Sequence, residues 1–250
     1  VVDEAEGIAT YGVGGGVTWD SHPGEEYEEA LTKARLLTES AVPVELLETI
    51  RWDDGYVLLE EHIERLGRSA AYWGATCDLD AVPRALLELE ASLGVPTGVR
   101  LVVSEVGEMT VTLSEAPEHF STGPGLAGVP VRVQIDLDPL DSRDARVFHK
   151  LTDREHFDDR AKRHADADDV LCVNECGRVT ESTIANVVFL IDGEWVTPPV
   201  SDGLLPGILR GELLKSHTIM ERHVTIAEAR AADAVALINS VRGWRPAVIL

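Results

Sequence analysis

Leu59, Ile63, Leu66, Ala70 and Trp73 recur at spacings of four and three, which is one face of an amphipathic helix, and Gly74 stands where such a helix would end. Upstream, Val44–Arg51 reads as a strand and Asp53-Asp54-Gly55 as a turn. Ala81–Leu93 reads as a second helix, and Arg100–Ser104 with Met109–Ser114 as a hairpin. Val129, Val131, Val133 and Ile135 alternate with other residues, the period of a half-buried strand. Asp136–Arg146 is polar, contains one Pro and reads as a linker. Beyond it, strands are expected at Val170–Asn174, Ile184–Ile191 and Ala234–Asn239, and a helix opens after Pro206. The pattern predicts two α/β lobes with mixed sheets, a smaller one over 44–138 and a larger one over 146–250, with no internal repeat.

Residues 1–37 differ from the rest. They hold the Gly-rich stretch Tyr11-Gly12-Val13-Gly14-Gly15-Gly16, which lacks the Lys-Ser/Thr of a phosphate-binding P-loop. An acidic helix follows, with start signals at Ser21 and Pro23, ending near Lys33. The first residue is Val rather than Met, so a start upstream or a processed end is expected.

Composition narrows the possibilities. The chain has 250 residues, 44% apolar and 26% charged, an ordinary globular balance. No run of about 18 apolar residues exists, so no membrane span is expected. A net charge of −22 repels phosphate backbones at long range and argues against nucleic-acid binding. Local basic groups and helix ends can still receive a small anion. The three cysteines Cys77, Cys172 and Cys176 form no metal or redox motif, and the last two are expected as small buried side chains. No metal site is expected, and a reducing cytoplasm suits the composition.

Schiff-base chemistry requires a lysine that can be neutral near pH 7. There are four lysines, Lys33, Lys150, Lys162 and Lys215. Lys33 sits on the acidic helix, Lys162 in the charged run Asp158–Asp169, and Lys215 on a polar helix rim. Lys150 ends the apolar approach Val147-Phe148-His149, which would bring its amine into a partly dry site; the competing reading is an ordinary surface lysine. Pro206-Gly207-Ile208-Leu209-Arg210 opens a helix whose free N–H groups can bind an anion, with Gly207 allowing close approach; a plain helix start is the alternative. Arg65 on the amphipathic helix is a candidate anion ligand or a solvent-facing arginine. Glu181 is a candidate partner for a pyridine nitrogen or an exposed loop acid.

Taken together, His62-x-x-Arg65-Leu66, His149-Lys150, Glu181-Ser182-Thr183-x-x-Asn186-Val187, and Thr197-Pro198-Pro199 with Gly203-Leu204-Leu205-Pro206-Gly207-Ile208-x-Arg210 stand in the order of the fold-type-IV pyridoxal 5′-phosphate (PLP) enzymes. The resemblance covers about 44–250. It implies a mixed α/β (α+β), two-lobed architecture like that of D-amino acid aminotransferase, with PLP between the lobes and a homodimeric assembly. It further implies Lys150 as the cofactor lysine and proton shuttle, and Glu181 as the partner of the pyridine nitrogen. Arg65, Gly207, the N–H groups of Ile208 and Leu209, and Ser240 would form the phosphate cup.

Within that superfamily three segments resemble the 4-amino-4-deoxychorismate lyases. These are Leu47-Glu48-Thr49-Ile50-Arg51-Trp52, Phe148-His149-Lys150-Leu151-Thr152-Asp153-Arg154 (with Leu151 where Thr is expected), and Asn239-Ser240-Val241-Arg242-Gly243-Trp244-Arg245-Pro246. Gly12–Pro23 with Glu26-Tyr27-Glu28-Glu29 and Lys33-Ala34 resembles the last segment of aminodeoxychorismate synthase component I. The implied activity is release of pyruvate from 4-amino-4-deoxychorismate to give 4-aminobenzoate for folate biosynthesis. Thr49 would assist protonation of the leaving group, and Arg242 would bind a substrate carboxylate. Fusion to, or association with, the synthase is implied too, as the C-terminal part of a fused enzyme or a descendant keeping a remnant. Two other readings stand beside it: a branched-chain or D-amino acid aminotransferase of the same fold, and a non-catalytic remnant or assembly module of a 4-aminobenzoate synthase complex.

Overall fold

A computed structural model of the chain describes residues 2–3, 8–10, 12–13, 19, 22–38, 44–118, 120–125 and 128–250. The chain divides into two compact units, residues 1–43 and 44–250. In the first, the two-residue strands β1 (Val2–Asp3) and β2 (Ile8–Ala9) pair antiparallel, and α1 (Pro23–Thr38) follows. The expected acidic helix is therefore present and runs five residues past Lys33. Of the Gly-rich stretch only Gly12 and Val13 fall within the described residues.

The second unit opens with β3 (Leu46–Trp52), α2 (Leu59–Trp73), α3 (Ala81–Glu90), β4 (Thr97–Val103) and β5 (Met109–Glu115). The strands form an antiparallel sheet in the order β3-β4-β5. Alternation on β3 sends Leu46, Ile50 and Trp52 into a core shared with Leu66 and Ala70 of α2, and with Val82 and Leu86 of α3. Each such side chain contributes roughly 1.5–3 kcal/mol by leaving water. Gly74 ends α2 at φ 68°, and its N–H donates to Ala70 O, as the expected glycine stop requires.

The remaining elements are β6 (Val131–Ile135), a 3-10 turn at Ala145–Phe148, α4 (Glu155–Arg163), β7 (Asp169–Val173), β8 (Val179–Ser182), β9 (Asn186–Ile191) and β10 (Glu194–Thr197). Then follow α5 (Ile208–Lys215), β11 (Met220–Glu221), α6 (Ile226–Ala231), β12 (Ala234–Asn239) and β13 (Gly243–Ile249). The eight strands form one mixed sheet, β11-β10-β9-β12-β13-β6-β7-β8. β12 divides its side chains between two cores. Val235 and Leu237 pack with Val187 and Phe189, while Ala236 and Ile238 face Leu209 and Leu213 of α5.

Four local expectations change. Strand 131–135, counted with the first lobe, pairs in parallel with both β13 and β7 in the larger sheet. The polar stretch 136–146 is no free tether, because Asp136 is buried and bound by Arg163 at 2.5 Å. Glu181, for which an exposed loop acid is the competing reading, lies on the fully buried strand Val179–Ser182. Cys172 is buried on β7, but Cys176 is exposed in the turn beyond it, since the strand ends before the even spacing can apply. No helix among the described residues is long and apolar enough to cross a membrane.

The β12–β13 turn carries Ser240 and Arg242 and depends on Gly243, whose φ is 69°. A Cβ there would lie 2.4 Å from Ser121 O. Gly243→Ala is therefore expected to lower stability by about 2 kcal/mol or more, through left-handed strain plus backbone collision. Urea denaturation of the variant checks this.

Candidate active site

A cleft of about 340 Å³ opens between the small sheet and the larger one. Lys150 lines it, and the chain's path explains how. The segment holding Lys150 lies along β3: Leu47 N–H donates to Lys150 O at 2.9 Å, and Thr152 N–H donates to Glu45 O at 3.1 Å. The amine is thereby anchored by its own backbone beside Leu47 and Thr49, both of which also line the cleft. Removal from water pushes the Lys150 pKa down to about 8, and Arg65 and Arg154 add to the effect against the opposing pull of Glu48 and Glu181. Lys150 can thus reach the neutral form close to physiological pH.

Glu181 lines the same cleft from β8. Burial raises its pKa to about 8, although the Leu205 N–H, Lys150, Arg154 and Arg210 all favour its charged form. Its Oε1 accepts from Leu205 N–H at 3.0 Å, and Asn186 Nδ2 lies 3.4 Å from its Oε2. Asn186 also donates to Leu205 O at 2.9 Å. Gly207, at the start of α5, abuts this network: a Cβ would fall 1.9 Å from Asn186 Oδ1. Any side chain at 207 would dislodge Asn186, so glycine is required for a reason beyond backbone freedom.

Arg65 reaches the cleft from α2 but is held from behind. Its Nε and Nη2 donate to Glu48 Oε1 and Oε2 at 2.8 and 2.7 Å, a two-point fork, and His62 Nδ1 meets Oε2 at 2.6 Å. Glu48 is only 2% exposed. Burial by itself would raise its pKa; Arg65 and His62 outweigh that and hold it at about 2.

Of the residues expected from sequence, Thr49, Arg65, Lys150, Glu181, Gly207, Ile208, Ser240 and Arg242 all line the one cleft. The Leu209 side chain does not; it is buried in the core under β12, leaving only its backbone to the helix start. The residues present fit a PLP site: a lysine of lowered pKa, a buried carboxyl group in the same cleft, and an arginine and a helix start for a phosphate. Sequence reading missed Glu48, Arg100, Arg146, Arg154 and His156, which also belong to the site or its support. Glu48 did carry a signal. It falls on the face of β3 that bears Leu46, Ile50 and Trp52, so an acid there needs buried partners, and the i and i+3 positions His62 and Arg65 supply them. Arg154 offered no periodic cue; it donates to Thr183 O and stacks over Phe157.

Residues 45–250 match the family described as amino-transferase class IV. A Schizosaccharomyces pombe protein provisionally named aminodeoxychorismate lyase is 28% identical over 205 residues, covering 79% of this chain and 86% of its own. A solved structure from Mesorhizobium loti, provisionally named an amino-acid aminotransferase, is 30% identical with a TM-score of 0.75, covering 83% of this chain and all of that one. Another from Legionella pneumophila, provisionally named 4-amino-4-deoxychorismate lyase, is 25% identical with a TM-score of 0.73 and covers 82% of each chain.

The two shifted groups give the apoprotein a distinctive pH profile. Glu181, raised from 4.5 to about 8, binds its proton more tightly when folded, so stability falls as pH rises from about 4.5 to about 8. Lys150, lowered from 10.5 to about 8, holds its proton more tightly when unfolded, so stability recovers from about 8 to 10.5. A minimum near pH 8 is expected in urea-derived stability, with flanks of roughly 3–5 kcal/mol. Glu181→Gln should flatten the acidic flank and Lys150→Met the basic one.

Proposed function

The chain belongs to the amino-transferase class IV family, and from that premise we propose that it is a PLP-dependent lyase converting 4-amino-4-deoxychorismate to 4-aminobenzoate and pyruvate. The observation that carries the reading is the presence of Lys150 and Glu181, both strongly shifted, in one cleft with Arg65 and the Gly207–Ile208 helix start. The lyase names of the Schizosaccharomyces pombe and Legionella pneumophila relatives support the choice of reaction.

When bound, PLP supplies an electron sink that stabilises negative charge on the carbon next to the substrate nitrogen. Lys150 Nζ would hold the cofactor and, as a free amine, would take the proton from the amine-bearing carbon. The lowered pKa suits it to that exchange, since an amine fully protonated at neutral pH could be neither nucleophile nor base. Glu181 takes the pyridine nitrogen, keeping a proton in that hydrogen bond. Arg65, fixed by Glu48, and the amides at Gly207 and Ile208 take the phosphate. Thr49 lines the cleft with a hydroxyl that makes no hydrogen bond among the described residues, and that hydroxyl would pass a proton to the departing enolpyruvyl group. Leu47, Val147, Leu151, Phe157 and Leu205 keep the walls dry. Loss of the enolpyruvyl group as pyruvate leaves the ring aromatic, which drives the reaction forward.

Transfer of the amine to a 2-oxo acid is the second reading, favoured by the Mesorhizobium loti relative and by Leu151. The two separate by product. Incubation with 4-amino-4-deoxychorismate should release pyruvate and 4-aminobenzoate in equal amounts; glutamate formed from 2-oxoglutarate, without pyruvate, would sink the lyase assignment. Purified protein given PLP should show visible absorbance that borohydride fixes at Lys150. Lys150→Ala should lose that fixed label and at least about 10²–10⁴ in rate, the size of a general acid–base contribution.

A further inference from the structure

Beside the main cleft lies a second cavity of about 280 Å³, lined by Val129, Pro130, Val131, Asp168, Asp169, Ile184, Arg242 and Arg245. Ile184 and Arg242 line both cavities. Arg245 sits on β13 opposite Leu237, and paired residues of antiparallel strands project to the same face. It therefore points away from the face of Trp244, which packs with Leu209 and Leu213.

Arg245 is unusual in its lack of partners. Its Nε and Nη2 are buried and make no hydrogen bond among the described residues. The nearby carboxylates cannot serve it. Asp169 is occupied by Ser182 Oγ at 2.7 Å, Thr183 Oγ1 at 2.6 Å, Thr183 N–H at 3.2 Å and Val170 N–H at 2.8 Å. Asp168 is paired with Arg132 at 3.0 Å. The Arg242 guanidinium likewise makes no hydrogen bond or ion pair among the described residues. Burial, then the proximity of Arg242, pushes Arg245 below the usual guanidinium range, with Asp169 offsetting part. The cavity lining holds two arginines and two aspartates, and Arg132 outside it neutralises Asp168.

Buried guanidinium N–H groups without acceptors, such as Nε and Nη2 of the partly buried Arg245, are destabilising unless something brings an acceptor to them. We propose that Arg242 and Arg245 form a subsite for one carboxylate, carried on an arm of the same substrate whose amine reaches Lys150. The substrate class is thereby an amine with two carboxylates, one of them remote from the reacting carbon. This rests on the reading above for the amine and the cofactor, and adds Arg245 as a specificity-determining residue.

The test is calorimetric binding to the PLP-loaded enzyme of two probes matched in their ring: 3-methoxybenzoate, with one carboxylate, and 3-(carboxymethoxy)benzoate, with two. Wild type should bind the second at least about tenfold more tightly. Arg245→Met should erase that preference while leaving 3-methoxybenzoate binding and the PLP absorbance as they were. Arg242→Gln, at an exposed position, should reduce it even if Arg245→Met fails to fold. Equal binding of the two probes by wild type overturns the proposal. So does a preference that survives in both variants, including the case where Arg245→Met changes the association state alone, which would assign the cavity to a subunit contact. Pyruvate release is read separately. A holoenzyme that prefers the dicarboxylate but releases no pyruvate would keep the subsite and retire the lyase reading.

Discussion

The buried carboxylate of Glu48 is the joint on which the site turns. It lies on a strand face otherwise given to hydrocarbon, and it is tolerated only because Arg65 grips it at two points and His62 at a third. The same contacts fix α2 against β3 and aim Arg65 at the cleft. Removing the acid would leave a buried arginine uncompensated and free to swing, so packing of the small sheet and anion binding in the cleft are one problem with one solution. His62 Nε2, buried without a partner, is the residual cost of that arrangement.

The cleft shows how an acidic protein binds anions. The chain carries −22 overall, yet Arg65, Arg100, Arg146, Arg154 and Arg242 converge on one opening with Lys150. Several carboxylates near them are held in ion pairs: Glu48 by Arg65, and Asp144 and Asp153 by Arg146. The global field keeps polyanions off while local geometry admits a small one. The low-dielectric surroundings that depress Lys150 also lift Glu181, so one physical cause brings both groups toward neutrality.

Much of this was legible in the sequence because it rests on periodicity and chain order. The α2 stripe, its Gly74 stop, the β4–β5 hairpin and the helix after Pro206 are local patterns, and the structure contains them. Lys150, Glu181, Arg65 and the Gly207 turn were legible as ordered motifs. What escaped was set by distant partners. β8 looked like a loop because Thr180, Glu181 and Ser182 are polar, and only burial between β7 and its neighbours makes them a strand. The parallel pairing of β6 with β13 joins residues more than a hundred apart, which no local window contains. α4 was hidden because Glu155–Arg163 is mostly charged, with Phe157 and Arg160 its buried residues. Arg245 could be quoted as part of a motif, but its missing acceptors are visible only once Asp169 is seen to be occupied.

The backbone bonds between the Lys150 segment and β3 have a further consequence. Lys150 belongs to no regular element; its position is borrowed from a strand of the small sheet through the Leu47 and Thr152 amides. Any fluctuation that frays β3 therefore releases the lysine, the Thr49 hydroxyl and the Glu48 anchor of Arg65 in the same event. In amide-exchange experiments these amides should open together, as one cooperative unit distinct from the β9–β12–β13 core. Partial loss of activity on warming would then mark the opening of the small sheet, well before the larger one melts.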